Sequence, residues 1–159
     1  MTIPVPDPAK PLREQGDLLL LAMCIFGEAR GQGAQGRLGV GWSIRNRVLA
    51  RRNEQGLRFG KGWSGVILRL AAYSCMLPSD VNYKKLFRPL QYEAPGVWQA
   101  CYGAAKLSIA GAGTDPSSGA THYYDDSIPP PWWAKAAVIK AGRMLPTVKI
   151  GRLNFFFEP

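Results

Sequence analysis

Glu28 is the residue whose setting in this chain most directly suggests chemistry. It follows residues 17–26, in which Asp17 is succeeded by Leu18, Leu19, Leu20, Leu21, Ala22, Met23, Cys24, Ile25 and Phe26. A helix that is apolar on every face belongs inside a protein, so Glu28 is carried to the edge of the core. A carboxyl group there loses solvation of its charged form, holds a proton more readily and can deliver it as a general acid. The competing reading is structural, an ion pair with Arg30, Arg45 or Arg47.

Glycoside hydrolysis usually needs a second carboxylate as base or nucleophile. Asp80, Glu93, Asp115, Asp125 and Asp126 are available, all in expected loops or element ends, and none has a context as specific as that of Glu28. One glutamate suffices where a substrate hydroxyl is the nucleophile, because it can protonate the departing oxygen and then, as carboxylate, take that hydroxyl's proton. A thiol mechanism is the sharpest rival: Cys75 and His122, the sole histidine, are a nucleophile and base of the kind peptidases and amidases use. Nothing local marks Cys75 as activated. One histidine and three scattered cysteines have no ligand spacing, so neither a metal nor a cofactor is expected. Residues 115–124 are dense in turn formers, hydroxyls and rings, the materials of a carbohydrate cleft and equally of a turn leading into a strand. Trp132 and Trp133, after three prolines, either face a ligand or cover the core.

The elements that must position these residues are legible in outline. The first helix leads to Glu28. After Gly31, Gln32 and Gly33 a second helix is predicted to run to about Arg52, with Gly39, Ser43 and Asn46 along a face that lets a neighbouring backbone approach. Asp17 and Ser64 are candidate caps, the latter for a third helix over 65–73. Residues 78–89 read as irregular. Pro95 opens a fourth helix that Gly111 ends. Beyond it, residues 120–124, 138–139 and 147–157 look extended. The fold class is therefore α+β, mainly helical, with a small antiparallel sheet in the C-terminal third. Residues 1–11, with four prolines, read as a tail with at most local packing, and 12–159 as a single catalytic domain.

Composition sets the bounds. A chain of 159 residues with 47% hydrophobic and 19% charged residues is an ordinary one-domain folder. The formal charge of +9 favours polyanionic surroundings, whether nucleic acid, an anionic membrane surface or an acidic bacterial envelope. The cluster of Arg37, Arg45, Arg47, Arg51, Arg52 and Arg58 reads as a solvated face or as phosphate contacts. No nucleic-acid module is recognisable, so no nucleic-acid partner is expected. The apolar run at 18–26 is too short to span a bilayer and follows no signal-peptide pattern. The expectation is a monomer made in the cytoplasm, without stable membrane insertion.

Phe26-Gly27-Glu28-Ala29-Arg30-Gly31, Trp42-Ser43-Ile44-Arg45-Asn46-Arg47-Val48, Tyr73-Ser74-Cys75, Asp115-Pro116 through Gly119-Ala120-Thr121-His122-Tyr123, Pro131-Trp132-Trp133-Ala134 and Ile150-Gly151 together resemble the spore-cortex-lytic cell-wall hydrolase family, in order and spacing. The likeness runs from about Leu18 to Phe157. It implies a lysozyme-like fold of the lytic transglycosylase superfamily, with Glu28 as the catalytic acid. It also implies peptidoglycan as substrate, cut between N-acetylmuramic acid and N-acetylglucosamine with closure to a 1,6-anhydro sugar. That outcome suits a site lacking a second carboxylate. The substrate contacts it suggests are Tyr73, Ser74, Thr121, His122, Tyr123 and Tyr124. Three departures stand out: Gln32 where an acid is common, Met76 in place of Trp after Ser-Cys, and Arg152-Leu153-Asn154-Phe155 in place of an Asn-His-x-Phe ending. A small basic member without a signal resembles a phage endolysin acting on the wall or periplasm once the membrane is permeabilised. The alternatives are a hydrolytic muramidase in which Asp80 or Asp115 activates water, and a noncatalytic wall-binding or polyanion-binding module.

Overall fold

The structure is a computed structural model that describes residues 2–50, 52–53 and 56–159. Its centre is α1 (Asp17–Ala29), in which every residue from Leu20 to Phe26 is buried. Gly16, at φ 82, takes the cap position expected of Asp17; Asp17 is the first helical residue, where its charge still complements the helix dipole. α2 (Ala34–Leu49) and α6 (Pro95–Ala110) pack on α1 and on each other. One glycine of α2 allows the approach to α6, and a second that of the Phe155 ring. A methyl on Gly41 would overlap Ser108 Oγ of α6, and one on Gly39 would lie 2.8 Å from the Phe155 ring. α6 begins at Pro95 and closes on Gly111 in the left-handed region, as its sequence predicts.

Among the described residues the other helices are short: α3 (Gly62–Ile67), α4 (Tyr83–Leu86), α5 (Pro89–Tyr92) and α7 (Ala136–Lys140). α3 starts earlier than expected, with Lys61 at its cap position and Ser64 inside it, and it ends before Ala71, which has φ 59. α2 stops at Leu49 instead of Arg52, because Ala50 turns extended and the chain enters a small hairpin of β1 (Arg52–Asn53) and β2 (Gly56–Leu57). Val138 and Ile139, expected in a strand, lie in α7, where both pack on a small cluster of Ala134, Met144 and Phe156. Here packing outweighed β-branched propensity.

The C-terminal sheet is antiparallel with order β3-β5-β4: β3 (His122–Asp125), β5 (Leu153–Phe157) and β4 (Leu145–Ile150). Tyr123 pairs with Phe155, and His122 with Phe156. Because side chains alternate across a strand, Tyr123 and Phe155 face the helices, while His122, Tyr124 and Phe156 face Trp133. The N-terminal stretch is held by more than local packing. Trp98 Nε1 donates to Pro4 O at 2.9 Å, Pro6 is buried, and the Gln15 side chain bonds Asp7 and Lys10.

Candidate active site

Glu28 occupies the last turn of α1, half-buried. The helix reaches this point without a bulky neighbour because Gly27 lies against Cys75: a methyl there would sit 2.6 Å from Cys75 Cβ and Sγ. Tyr123 Oη donates to Glu28 Oε2 at 2.9 Å, which leaves Oε1 without a hydrogen-bond partner among the described residues.

The ion-pair reading of Glu28 fails, because each proposed arginine is engaged elsewhere. Arg30 binds Glu93 Oε1 at 2.9 Å and Asn82 Oδ1 at 2.8 Å. Arg45 caps α6 through the carbonyls of Ser108 and Ile109. Arg47 donates from Nε to the carbonyl of Thr121 and lies over the rings of Phe59 and Tyr73. Arg37 closes the joint between α1 and α2 through the carbonyls of Arg30 and Gln32. Arg37, Arg45 and Arg47 thus bind backbone oxygens instead of forming a solvated face. Arg51 and the Arg52 side chain lie outside the described residues.

The second helix also fixes the partner of Glu28. Asn46 Nδ2 donates to Asp115 Oδ2 and to the carbonyl of Ala120, both at 2.9 Å. Asp115 in turn accepts from Ser117 N, Ser117 Oγ and Gly119 N, which shapes the turn at 115–120. With Arg47 holding Thr121, this sets where β3 begins and so brings Tyr123 to Glu28.

A cleft of about 640 Å³ opens over Glu28, with Tyr73, Arg47, His122, Tyr123 and Trp133 in its walls. Leu70, 84% exposed, and Trp132, 74% exposed, also line it. A smaller cleft of about 290 Å³ contains Tyr124, Asp125 and Ile128 and shares Glu28, Tyr123 and Trp133 with the first. Glu28 thus lies where two clefts meet, the arrangement an extended chain needs if it is cut in its middle.

Of the expected contacts, Tyr73, His122 and Tyr123 are in the larger cleft and Tyr124 in the smaller. Ser74 and Thr121 are in neither. Ser74 is exposed on the single turn Ser74–Met76 and lines neither cleft. Thr121 is buried, and its Oγ1 accepts from Glu158 N at 3.1 Å and meets His122 Nδ1 at 3.0 Å, so its role is to orient neighbours. Tyr73 is 4% exposed, and its hydroxyl has no hydrogen-bond partner among the described residues. Leaving a buried hydroxyl unpaired costs about 1–3 kcal/mol.

The rival chemistries fare poorly. Cys75 is buried beneath α1, its sulfur 4.0 Å from the carbonyl of Cys24. Hydrogen bonding with Cys24, burial and the nearby Glu28 charge all raise its thiol pKa, the reverse of what a thiolate nucleophile needs. His122 is lowered to about 3 by burial and by Arg47 and Arg58, so the ring is neutral. Its 3.7 Å approach to Glu158 would favour the charged ring, but Glu158 is already paired with Arg58 at 3.0 Å. Among the described residues no group of three His, Cys, Asp or Glu side chains is placed to hold a metal ion, and no helix is long and apolar enough to cross a membrane. Asp80 and Asp115 lie outside both clefts, Asp80 accepting from Asn82 N at 2.8 Å and Asp115 holding its own turn. Glu158, which lines the larger cleft, was not among the expected carboxylates. Its only sequence signal is an acid directly after the Phe155-Phe156-Phe157 strand.

A sequence model described as Cell Wall Hydrolase matches residues 31–156. The chain belongs to the cell wall hydrolase family. The matched span includes Asn46, Arg47 and Tyr123 and begins three residues after Glu28. Nothing matches among curated protein sequences. Two solved structures share the fold of this cell wall hydrolase. The catalytic domain of the Bacillus cereus SleB protein is 23% identical, with TM-score 0.61 over 95% of this chain and 94% of that one. The catalytic domain of a germination-specific lytic transglycosylase, SleB from Bacillus anthracis, is 23% identical, with TM-score 0.60 over 95% and 98%.

Proposed function

We propose that this cell wall hydrolase cleaves peptidoglycan glycan strands at the N-acetylmuramic acid to N-acetylglucosamine β-1,4 bond as a lytic transglycosylase, with Glu28 as the sole acid and base. The observation that carries this reading is a half-buried carboxylate at the junction of two clefts, bonded to a tyrosine and, among the described residues, to no arginine. The family assignment and the SleB-like fold support the substrate class.

With Tyr123 donating to Oε2, the proton of the acid belongs on Oε1. It passes to the glycosidic oxygen as the C1–O bond breaks. The carboxylate left behind, stabilised by the Tyr123 hydrogen bond, then takes the proton of the muramic C6 hydroxyl as that oxygen bonds to C1. Glu28 ends the cycle protonated and no water is consumed. Trp132 and Trp133 offer faces on which sugar rings can stack, and His122, Tyr123 and Tyr124 offer polar contacts along the strand. A hydrolytic muramidase is the second reading, favoured by Glu158, which lines the larger cleft together with Glu28. The setting we propose is host-cell lysis, with the charge of +9 drawing the enzyme to an anionic envelope.

The test is Glu28→Gln on purified peptidoglycan. Removing a positioned acid is expected to lower the rate by about 10² to 10⁴ while leaving the thermal midpoint near that of the wild type. Undiminished lysis by the variant would remove Glu28 from this role.

A further inference from the structure

The two clefts that meet at Glu28 differ in charge. Three guanidinium groups, those of Arg47, Arg58 and Arg69, line the larger one, against the carboxyl groups of Glu28 and Glu158. In the smaller cleft the charged residue besides Glu28 is Asp125, which Arg152 approaches at 3.4 Å. The larger cleft's own histidine feels the positive field, since Arg47 and Arg58 add to burial in holding His122 neutral. Two of the three cations are engaged. Arg58 binds Glu158 Oε1 at 3.0 Å together with the carbonyls of Glu158 and Pro159, and Arg47 binds the carbonyl of Thr121 and lies over the Phe59 and Tyr73 rings. Arg69 is placed differently. It is exposed, its Nη1 donates to the carbonyl of Arg58 at 2.7 Å, and among the described residues no carboxylate pairs with it. That bond orients the guanidinium and leaves its other nitrogens to donate. The turn that carries it is also held: Ala72 N donates to the Arg69 carbonyl at 3.0 Å, and Ala71 sits at φ 59. A left-handed residue other than glycine persists only where its surroundings impose it. Here the result is that residues 69–72 all line the cleft.

We propose that Arg69 is a substrate-binding residue that pairs with a carboxylate on the peptide borne by the muramic sugar in the larger cleft, so that the enzyme prefers strands whose peptides are charged. The proposal rests on the glycan-cleaving reading above and adds to it the class of substituent recognised. The chemistry of the strand selects this group. N-acetylglucosamine is uncharged, whereas the lactyl ether of the muramic sugar bears a peptide whose free carboxylates stand away from the sugar rings. An exposed guanidinium, tethered by one nitrogen and open at the others, matches a planar carboxylate arriving from outside the sugar path. Bare sugar would offer it only neutral hydroxyls and acetamides.

Arg69→Gln tests this on peptidoglycan freed of phosphate polymers and used in two forms, native and with its carboxylates converted to amides by a carbodiimide and ammonia. On the native wall the variant is expected to release fragments about three- to tenfold more slowly than the wild type, between the values for an exposed ion pair and for a hydrogen bond to a charged group. Arg69→Lys, which keeps the charge, is expected to recover part of that rate. On the amidated wall the wild type and Arg69→Gln are expected to act alike. Arg143→Gln separates local pairing from the general attraction of a chain of charge +9, because Arg143 is exposed and lines neither cleft; its rate on the native wall is expected to stay near that of the wild type. Co-sedimentation of Glu28→Gln and Glu28→Gln/Arg69→Gln with each wall reads the contact without turnover, and the double variant is expected to bind more weakly to the native wall alone. The proposal is overturned if Arg69→Gln is as fast as the wild type on the native wall, if its deficit is the same on both walls, or if Arg143→Gln matches it. Failure of the glycan-cleaving reading shows separately, as wild-type enzyme that releases no fragments from either wall, and co-sedimentation then still decides the Arg69 contact.

Discussion

A carboxyl group donates a proton usefully only when one of its oxygens is held and the other is left to carry the proton to the substrate. Glu28 has that asymmetry, with Tyr123 on Oε2 and no partner on Oε1 among the described residues. Two neighbours often read as chemical groups have other roles. Cys75 packs against Gly27, and His122 is a neutral ring braced by Thr121 and Trp133. The state of His122 has a measurable consequence. Its pKa is about 3 in the folded chain against 6.5 for the free side chain, so between those values the unfolded chain binds a proton that the folded one refuses. Stability contributed by the neutral ring is therefore complete above pH 6.5 and is lost as pH falls toward 3. Arg47 and Arg58 oppose protonation, and Glu158 is neutralised by Arg58. Denaturant unfolding at stepped pH should show the wild type losing stability more steeply over this window than His122→Gln. Parallel curves would mean that the ring is solvated or already charged.

At the scale of elements, two motifs separated in sequence build one site by different means. The Gly27-Glu28 turn ends a helix buried on all sides, whereas Asn46 and Arg47 act at a distance, holding the 115–121 segment so that β3 presents Tyr123. The α2 helix can do this only by lying close to α6, and Gly41 permits that approach. Gly41→Ala should destabilise the protein by about 1–3 kcal/mol, the usual range for overpacking. Ser108→Ala should recover part of the loss, because the closest atom to the new methyl is Ser108 Oγ, while Ile25 Cδ1 and Ser108 Cβ, each at 3.1 Å, still have to give by a few tenths of an ångström. A double-mutant cycle read by urea unfolding measures the coupling. Additive effects would mean that the helices separate instead of clashing. These long helices were legible because their signals are local: α1 is apolar throughout, and α6 is bracketed by Pro95 and Gly111. The short elements were not. The five residues of α7 owe their form to packing near Trp133 and Phe156, a tertiary cause that Val138 and Ile139 do not reveal.

At the scale of the whole molecule, a helical body and a small sheet meet along two joined clefts, in a fold shared with the SleB catalytic domains. The position of the candidate site was legible where residue type and context single out a segment, as with Glu28 and the ring-rich 122–124 segment, all of which line the clefts. It was not legible where the role depends on which way a loop faces. Ser74 and Tyr73 are adjacent in sequence, yet the first is exposed and the second lines the cleft. Glu158 was missed because nothing in the sequence reveals that it lines the cleft beside Arg58 and His122. Its presence makes the nature of the product the decisive question, since a glutamate acting alone must return its proton from a substrate hydroxyl, whereas a second carboxylate could activate water. The most direct measurement is mass spectrometry of fragments released from purified peptidoglycan in heavy-oxygen water. The account predicts 1,6-anhydromuramic ends with no solvent oxygen incorporated. Reducing muramic ends carrying the label would contradict it.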